Sequence, residues 1–351
     1  MITLEKINFK KINSFLDEIN NNLIYYCPDY LKFLEIILKD SKIFYIVYQN
    51  KKKIMAIMPV SISSVENKYQ IINSLPFFGG HGGIIIEDVN KIEKRKIQSR
   101  ILSFLNKTLI NKKTLSTIII ENPFFKINNE IYQKNGFYEE DNRFSQFKIL
   151  PNSNKIDETK NLLFESFHTK TRNSIRKGFK LNPKIYETNK ACDIKWIYKI
   201  HKSSISRLNG KNKTLFEFNE LLKIFPPPKN SRIFIAEING VKISGLILIL
   251  YKNSVEYFTP VIHEDYKSSQ LLSALIFHAM TKLTVEGYKL WNWGGTWKSQ
   301  TGVFRFKQRF GSDCKEYRYL SKKNFEALGE TSPLTLKKYY NHYYAYNFDL
   351  K

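Results

Sequence analysis

The stretch Ile233-Phe-Ile-Ala-Glu-Ile-Asn-Gly-Val-Lys-Ile-Ser-Gly-Leu-Ile247 decides the fold. Apolar and β-branched residues flank Asn239-Gly240, a dipeptide that tolerates the positive φ angles of a two-residue turn, so the stretch reads as a β-hairpin. Upstream, Phe44-Tyr-Ile-Val-Tyr-Gln-Asn-Lys-Lys-Lys-Ile-Met-Ala-Ile-Met58 has the same form of strand, polar turn and strand. At an offset of 189 residues Tyr45 falls on Phe234, Ile46 on Ile235, Lys53 on Lys242, Ile54 on Ile243 and Ala56 on Gly245. The elements after each hairpin repeat as well. In the first half a helical stretch, Lys91–Asn111, precedes a buried-looking strand, Ser116–Glu121. In the second half Ser269–Glu286 reads as a helix with Leu272, Leu275, Ile276 and Ala279 on one face, and precedes the strand Tyr288–Trp293. Hairpin, helix and parallel strand, twice over, imply two α/β domains of one architecture.

The polar turn cluster Pro151-Asn-Ser-Asn154 places the boundary, giving domains 1–152 and 153–351. Pro226-Pro227-Pro228 ends a helical stretch just before the second hairpin. No long linker separates the halves, so they are expected to pack together, with a cleft between them as the default ligand site.

With 351 residues, 42% hydrophobic and 15% aromatic, the chain can bury sizeable cores, which excludes global disorder. Its formal net charge of +24 suggests a polyanionic or phosphorylated partner. Lys is abundant throughout, whereas only ten Arg occur and five of them (Arg172, Arg176, Arg305, Arg309, Arg318) fall in two short regions. Those regions carry more information than the total. Cys27, Cys192 and Cys314 are far apart and form no C-x-x-C pair, so neither a disulfide framework nor a zinc ribbon is indicated. The stretch Met1–Ser14 has the charges Glu5, Lys6, Lys10 and Lys11 and no apolar core, unlike a signal peptide. The most apolar stretch, Gly245–Tyr251, is roughly a third of a membrane span. A soluble, cytosolic protein is expected.

Three stretches could carry chemistry. The first is His168-Thr-Lys-Thr-Arg-Asn-Ser-Ile-Arg-Lys-Gly-Phe-Lys180. From Lys170 to Lys184 there are six basic residues and no acid, and in a helix Arg172, Arg176 and Lys180 stack at intervals of four. Like charges so spaced repel unless an anion neutralises them, and Arg suits bidentate phosphate binding. Lys170, Arg172, Arg176 and Lys177 are therefore candidate phosphate ligands, the alternative being a solvated basic face. The second is Leu290-Trp-Asn-Trp-Gly-Gly-Thr-Trp-Lys-Ser-Gln-Thr-Gly-Val-Phe-Arg-Phe-Lys-Gln-Arg-Phe-Gly311. It places Trp293, Gly294, Gly295 and Trp297 at the end of a parallel strand, which borders the ligand crevice in open α/β sheets. Phe304, Phe306 and Phe310 then interleave with Arg305, Lys307 and Arg309. The third is Ser74-Leu-Pro-Phe-Phe-Gly-Gly-His-Gly-Gly83, whose Gly79, Gly80 and His81 could let a substrate approach the backbone. Its His-Gly-Gly is similar to an esterase oxyanion loop, but no G-x-S-x-G elbow exists, which speaks against a hydrolase. Six scattered histidines give no H-x-x-x-H and no Cys/His cluster, so no metal is expected, and neither a P-loop nor a G-x-G-x-x-G occurs. The Tyr-rich stretch Tyr339–Tyr346 either touches a membrane interface or docks on its own domain.

Taken together these motifs resemble the Fem family of aminoacyl and peptidyl transferases and the FemAB-like acyltransferases, within the GNAT superfamily. The resemblance rests on Ser74–Gly83, His168–Lys180, the second hairpin and above all Trp293–Gly311, and covers almost the whole chain. It implies an α/β fold of two tandem GNAT-like domains, each a mixed twisted sheet flanked by helices. The stretch Ile185–Pro226 is too short for the long helical arm of some members. It further implies transfer of an aminoacyl or acyl group from an activated donor to an amine of a cell-envelope precursor. Phe306 and Lys307 match the pair that positions the tRNA end and stabilises the reacting carbonyl, and Arg305 and Arg309 flank it. No bound cofactor is implied; aminoacyl-tRNA is the favoured co-substrate and acyl-CoA the second. The CoA loop of the superfamily would precede the helix at Ser269, yet Tyr266-Lys-Ser-Ser-Gln-Leu-Leu-Ser-Ala lacks its glycines. A phosphorylated, nucleotide- or lipid-linked acceptor, tRNA and contact with the inner membrane face are the expected partners; DNA is not. Glu121, Glu256 and Asp265 are candidates for a general base by strand-end placement only. An acyl-CoA enzyme acting on an amino sugar, and a non-catalytic polyanion binder, are the competing readings.

Overall fold

In the computed structural model the described residues are all but 8–9, 20–22, 66–68, 77–79, 208–209, 211 and 345–351. The chain divides into two units: Met1–Arg143 with Glu316–Lys351, and Phe144–Lys315. In unit 1, β1 (Ile2–Lys6), α1 (Lys11–Glu18) and α2 (Pro28–Ile37) lead into β2 (Ser41–Asn50), β3 (Lys53–Val65) and β4 (Tyr69–Asn73). The short β5 (Ile85–Ile86), α3 (Lys91–Phe104), β6 (Thr114–Ile120) and α4 (Asn129–Lys134) come next. The chain passes into unit 2 within β7 (Tyr138–Ile149) and returns within β13 (Asp313–Lys323). Unit 2 contains α5 (Ile156–Ser166), α6 (Thr169–Phe179), β8 (Lys184–Glu187), α7 (Ala191–Arg207) and α8 (Leu215–Ile224). It continues with β9 (Ser231–Ile238), β10 (Val241–Tyr251), β11 (Ser254–Ile262), α9 (Leu271–Val285), β12 (Leu290–Trp297) and α10 (Thr301–Arg309). Beyond β13, α11 (Phe325–Gly329) and α12 (Pro333–Tyr339) belong to unit 1.

Within unit 1 the strand order is β1-β2-β3-β4-β6-β13, with β5 on β3; within unit 2 it is β7-β12-β11-β10-β9-β8. The expected repeat is present in both: an antiparallel hairpin (β2–β3, β9–β10), a third antiparallel strand, a helix, and a parallel pair, β4 with β6 and β11 with β12. Only the alignment shifts. Lys51 and Lys52 have φ of 44° and 71°, Asn239 and Gly240 of 50° and 79°, so the two turns coincide at an offset of 188 residues. The residues skipped by the register, Met55 in β3 and Ile243 in β10, coincide at the same offset. At 188, Ile46, Met58 and Val60 fall on Phe234, Leu246 and Leu248, each pair being core residues of its own unit. The offset of 189 matches side-chain identities, and a slip of one residue exchanges the two faces of every strand.

The 152/153 boundary is also revised, because the turn at Pro151–Asn154 comes after β7 inside unit 2. The C-terminal part returns to unit 1, where Tyr319–Lys323 of β13 pair antiparallel with Ser116–Ile120 of β6. Leu336 and Tyr340 close over Ile71 and Leu115. Tyr340 donates its hydroxyl to the carbonyl of Tyr69 (2.8 Å) and the amide of Tyr344 donates to Asn73 Oδ1 (2.9 Å), so this part of the Tyr-rich stretch docks on its own unit. Ala345 and Tyr346 lie outside the described residues. In unit 2, α9 is buried almost all round rather than on one face, beneath α5 and α6 and over the sheet. Among the described residues, the stretch where a long arm would stand holds β8, α7 and α8 and no long helical arm.

Candidate active site

The parallel register of β11 and β12 runs from Ser254 beside Leu290 to Glu256 beside Asn292 and stops there, though both strands continue. Side chains alternate across a strand. Trp291, Trp293 and Tyr257 therefore enter the helix-covered core, while Glu256, Asn292, Gly294 and Thr296 share the opposite face. On that face Asn292 Nδ2 donates to Glu256 Oε2 (2.7 Å), and Asn292 Oδ1 accepts the amide of Gly294 (3.0 Å). Gly294 has φ of 72°, where a side chain is strained. A Cβ there would stand 3.7 Å from Glu256 Oε1.

Lys307 comes from α10, whose Phe306, with Phe310 just after the helix, turns toward the core. Its Nζ donates to Thr296 Oγ1 (2.8 Å) and to the carbonyl of Gly295 (3.2 Å), with the residue only 6% exposed. The Thr296 hydroxyl donates to Gln146 Oε1 (3.0 Å), and Gln146 Nε2 donates to the carbonyl of Phe304 (3.0 Å). The lysine is thus fixed by a relay from β7 through β12 to α10. Burial pushes its pKa down to about 8, with the charge of Glu256 opposing the shift. A buried cation of this kind can meet a developing oxyanion without reorganising.

α6 forms as expected, with His168 Nδ1 accepting the amide of Lys170 at its start (3.1 Å). Gly178 on its buried face lets it lie against α9, since a Cβ there would be 2.8 Å from that of Ala274. Lys170, Arg176 and Lys177 are exposed and Arg172 half-buried. Arg172 donates to Thr169 Oγ1 (3.1 Å), Arg176 to Asn173 Oδ1 (3.2 Å) with its guanidinium 4.8 Å over Phe164, so neutral groups hold both. The amide of His168 donates to the carbonyl of Arg309 (2.9 Å), tying the start of α6 to the end of α10, where Arg305 is exposed and Arg309 half-buried.

Other candidates fall elsewhere. Trp293 is no cleft wall: it is 2% exposed, with ring centroids 4.8 Å from Tyr257 and 5.3 Å from Phe310. Period-two alternation sends it to the core face, and of the three tryptophans in the motif only Trp297 is partly exposed. Phe306 is half-buried at the core edge beside Phe310, with centroids 5.2 Å apart. Gly294 is half-buried and Gly295 exposed. His81 belongs to the interior of unit 1, its ring edge-on to Tyr317 at 4.4 Å, and burial pushes its pKa down to about 3, leaving it neutral. Gly80 makes room for the Tyr25 ring, which a Cβ would meet at 2.6 Å. Gly79 lies outside the described residues. Of the three carboxylates, Glu121 is clamped by Arg318 through two bonds of 2.7 Å, Asp265 is exposed, and Glu256 is in the site. Asn292, Thr296 and Gln146 went unforeseen; a polar residue between two tryptophans in a buried strand was the available signal for Asn292.

At the start of α9 the hydroxyl of Ser269 accepts the amide of Leu271 (3.2 Å) and the carbonyl of Gln270 accepts that of Ser273 (2.9 Å). Among the described residues no group of three His, Cys, Asp or Glu could hold a metal, and no helix is long and apolar enough to cross a membrane.

No protein-family model matches the chain, and no curated protein matches it in sequence. Solved structures do match its fold. A crystal structure of FemX superposes with a TM-score of 0.70 at 10% identity, covering 93% of this chain and 99% of that one. A tandem GNAT protein from the clavulanic acid biosynthesis pathway gives 0.53 at 5% identity, over 92% and 98% of the two chains. L-PGS from Bacillus licheniformis gives 0.53 at 11% identity, over 96% and 97%. The chain has a FemAB-like tandem GNAT fold.

Proposed function

We propose that this protein is an N-acyltransferase that moves an aminoacyl group from aminoacyl-tRNA to an amine of a phosphorylated cell-envelope precursor. The observation that carries this reading is Lys307, a buried cation held by Thr296 Oγ1 and the Gly295 carbonyl where a parallel strand ends. In the reaction the acceptor nitrogen attacks the ester carbonyl, the C–N bond forms and the C–O bond to the ribose breaks. The proton shed by nitrogen ends on the departing ribose oxygen. The donor is already activated, so no enzyme nucleophile is needed, and the charge on Lys307 offsets that on the tetrahedral oxygen. Holding donor and acceptor together supplies much of the remaining rate. Lys170, Arg172, Arg176 and Lys177 on α6, with Arg305 and Arg309, would take the phosphates. Phe306, at the core edge beside Lys307, would bear on the tRNA end. The protein would work in the cytoplasm, reaching at most the inner membrane face.

Acyl-CoA as donor is the second reading. The self-satisfied amides of Leu271 and Ser273, in a segment without glycine, give a pyrophosphate little to bind and favour tRNA. Pure polyanion binding would leave a buried lysine without use. The test is incubation with charged tRNA and, separately, acyl-CoA, with acceptor-dependent donor consumption measured by mass spectrometry. Turnover with charged tRNA, about 100–1000-fold slower in Lys307→Ala at unchanged melting temperature, is expected. Turnover with acyl-CoA alone, or an unimpaired Lys307→Ala protein, overturns it.

A further inference from the structure

α6 ends in a turn that carries apolar side chains outward among cations. The amide of Leu181 donates to the Gly178 carbonyl (3.3 Å) and that of Asn182 to the Phe179 carbonyl (3.0 Å). Asn182, with φ of 48°, then sends the chain back into β8, the edge strand of unit 2, so the turn stands at the rim of that sheet. Phe179 and Leu181 are 37% and 41% exposed, and Arg176, Lys177, Lys180 and Lys184 are exposed beside them. The Phe179 ring meets Phe277 edge-on, with centroids 6.3 Å apart, which anchors it at the surface. From Lys170 to Lys184 no acid interrupts the six basic residues. Glu237 lies 3.4 Å from Lys184, whose side chain is nonetheless 74% exposed. Glu165, the last acid of α5, precedes the opposite end of α6, a helix length of roughly 16 Å from the turn.

Cations at the C-terminal end of a helix suit its dipole, and that alone accounts for lysines there. It does not account for an exposed Phe and Leu between them. RNA or a soluble phosphate would meet the charges and leave the leucine in water. A medium with anions at its surface and hydrocarbon just beneath meets both. We infer that the C-terminal end of α6 and its turn form a docking surface for an anionic lipid bilayer. Phe179 and Leu181 enter the acyl boundary, while Arg176, Lys177, Lys180 and Lys184 meet the headgroup phosphates. Two apolar side chains and four cations make a reversible contact, each basic residue near the surface strengthening it about fivefold. The surface goes beyond the transferase reading and does not require it, since binding to a bilayer involves no turnover.

The test is co-sedimentation of the full-length protein with vesicles of phosphatidylcholine alone or mixed in equal parts with phosphatidylglycerol. Binding to the mixed vesicles, weakening as salt is raised, is expected, with little binding to the neutral ones. Lys180→Gln with Lys184→Gln should bind about fivefold more weakly for each lysine removed. Phe179→Ser with Leu181→Ser should bind about tenfold more weakly at unchanged net charge. Because Phe179 touches Phe277, Leu181→Ser alone is read if the double variant fails to fold, and should still bind several-fold more weakly. Wild-type protein that binds neither vesicle, or both equally, overturns the assignment. So does full binding by the serine variants, which would reduce the contact to the general attraction of a basic protein. A complex with an RNA oligomer that the glutamine variants weaken, in a protein that binds no vesicle, assigns this face to RNA and overturns the lipid surface. Each of these results leaves the acyl-transfer reading standing, because that reading is tested by turnover.

Discussion

Lys307 and Trp293 lie fourteen positions apart in one motif and have opposite fates. Desolvation brings the lysine down to about 8, so its cationic form is lost as pH rises through that value. If the cation stabilises the oxyanion, kcat should fall above about pH 8; a pH–rate profile of wild type and Lys307→Arg reads this directly. The guanidinium does not titrate in that range, so the descending limb should vanish in the variant even though its turnover is poorer. A limb that persists in Lys307→Arg belongs to another group. For Trp293 the expected effect is on stability, because its ring packs against Tyr257 and Phe310. Trp293→Ala should lose about 3–5 kcal/mol in a denaturant titration. Trp297→Ala, at a partly exposed site, should lose markedly less. The tryptophans looked equivalent in the sequence because composition says nothing of which face a strand residue takes.

α6 joins a charged outer face to a close inner contact. Its two arginines, Arg176 exposed and Arg172 half-buried, are held by neutral groups and a ring, so replacing both by Ala should alter stability within about 0.5 kcal/mol. KM for a phosphorylated substrate should rise with kcat nearly constant, and the loss should shrink as salt is raised. A fall in kcat alone would contradict phosphate binding by this face. The inner face has no such tolerance. Gly178→Val would drive a side chain into Ala274 and the Gln270 carbonyl, and should cost about 1–3 kcal/mol by thermal melting. The sequence declared this helix and its basic stack clearly, since both are local. It also marked α9 as a helix, but not that α9 lies against α6 and requires glycine at 178.

For the whole molecule, the charge of +24 bears on the donor. If tRNA is that donor, log affinity should fall linearly with log salt, by roughly 0.7–0.9 per phosphate neutralised. A flat salt dependence alongside efficient turnover would exclude a tRNA-sized contact. The return of the chain to unit 1 gives a separate test: Tyr340→Ala should destabilise by about 3 kcal/mol, since the ring covers Ile71 and Leu115 and the hydroxyl binds Tyr69. The sequence by itself determined the two hairpins, the helix and parallel strand after each, and hence two α/β units, because turns and periodicities are written in neighbouring residues. It also marked Lys307 through a motif. Only the tertiary structure decided the rest: the offset of 188, the return of β13 to unit 1, the sealing of Glu121 by Arg318, and the meeting of Glu256, Asn292, Thr296 and Lys307. The reason is physical. Burial, register and desolvation depend on what lies across a strand or helix face, and those neighbours are far away along the chain.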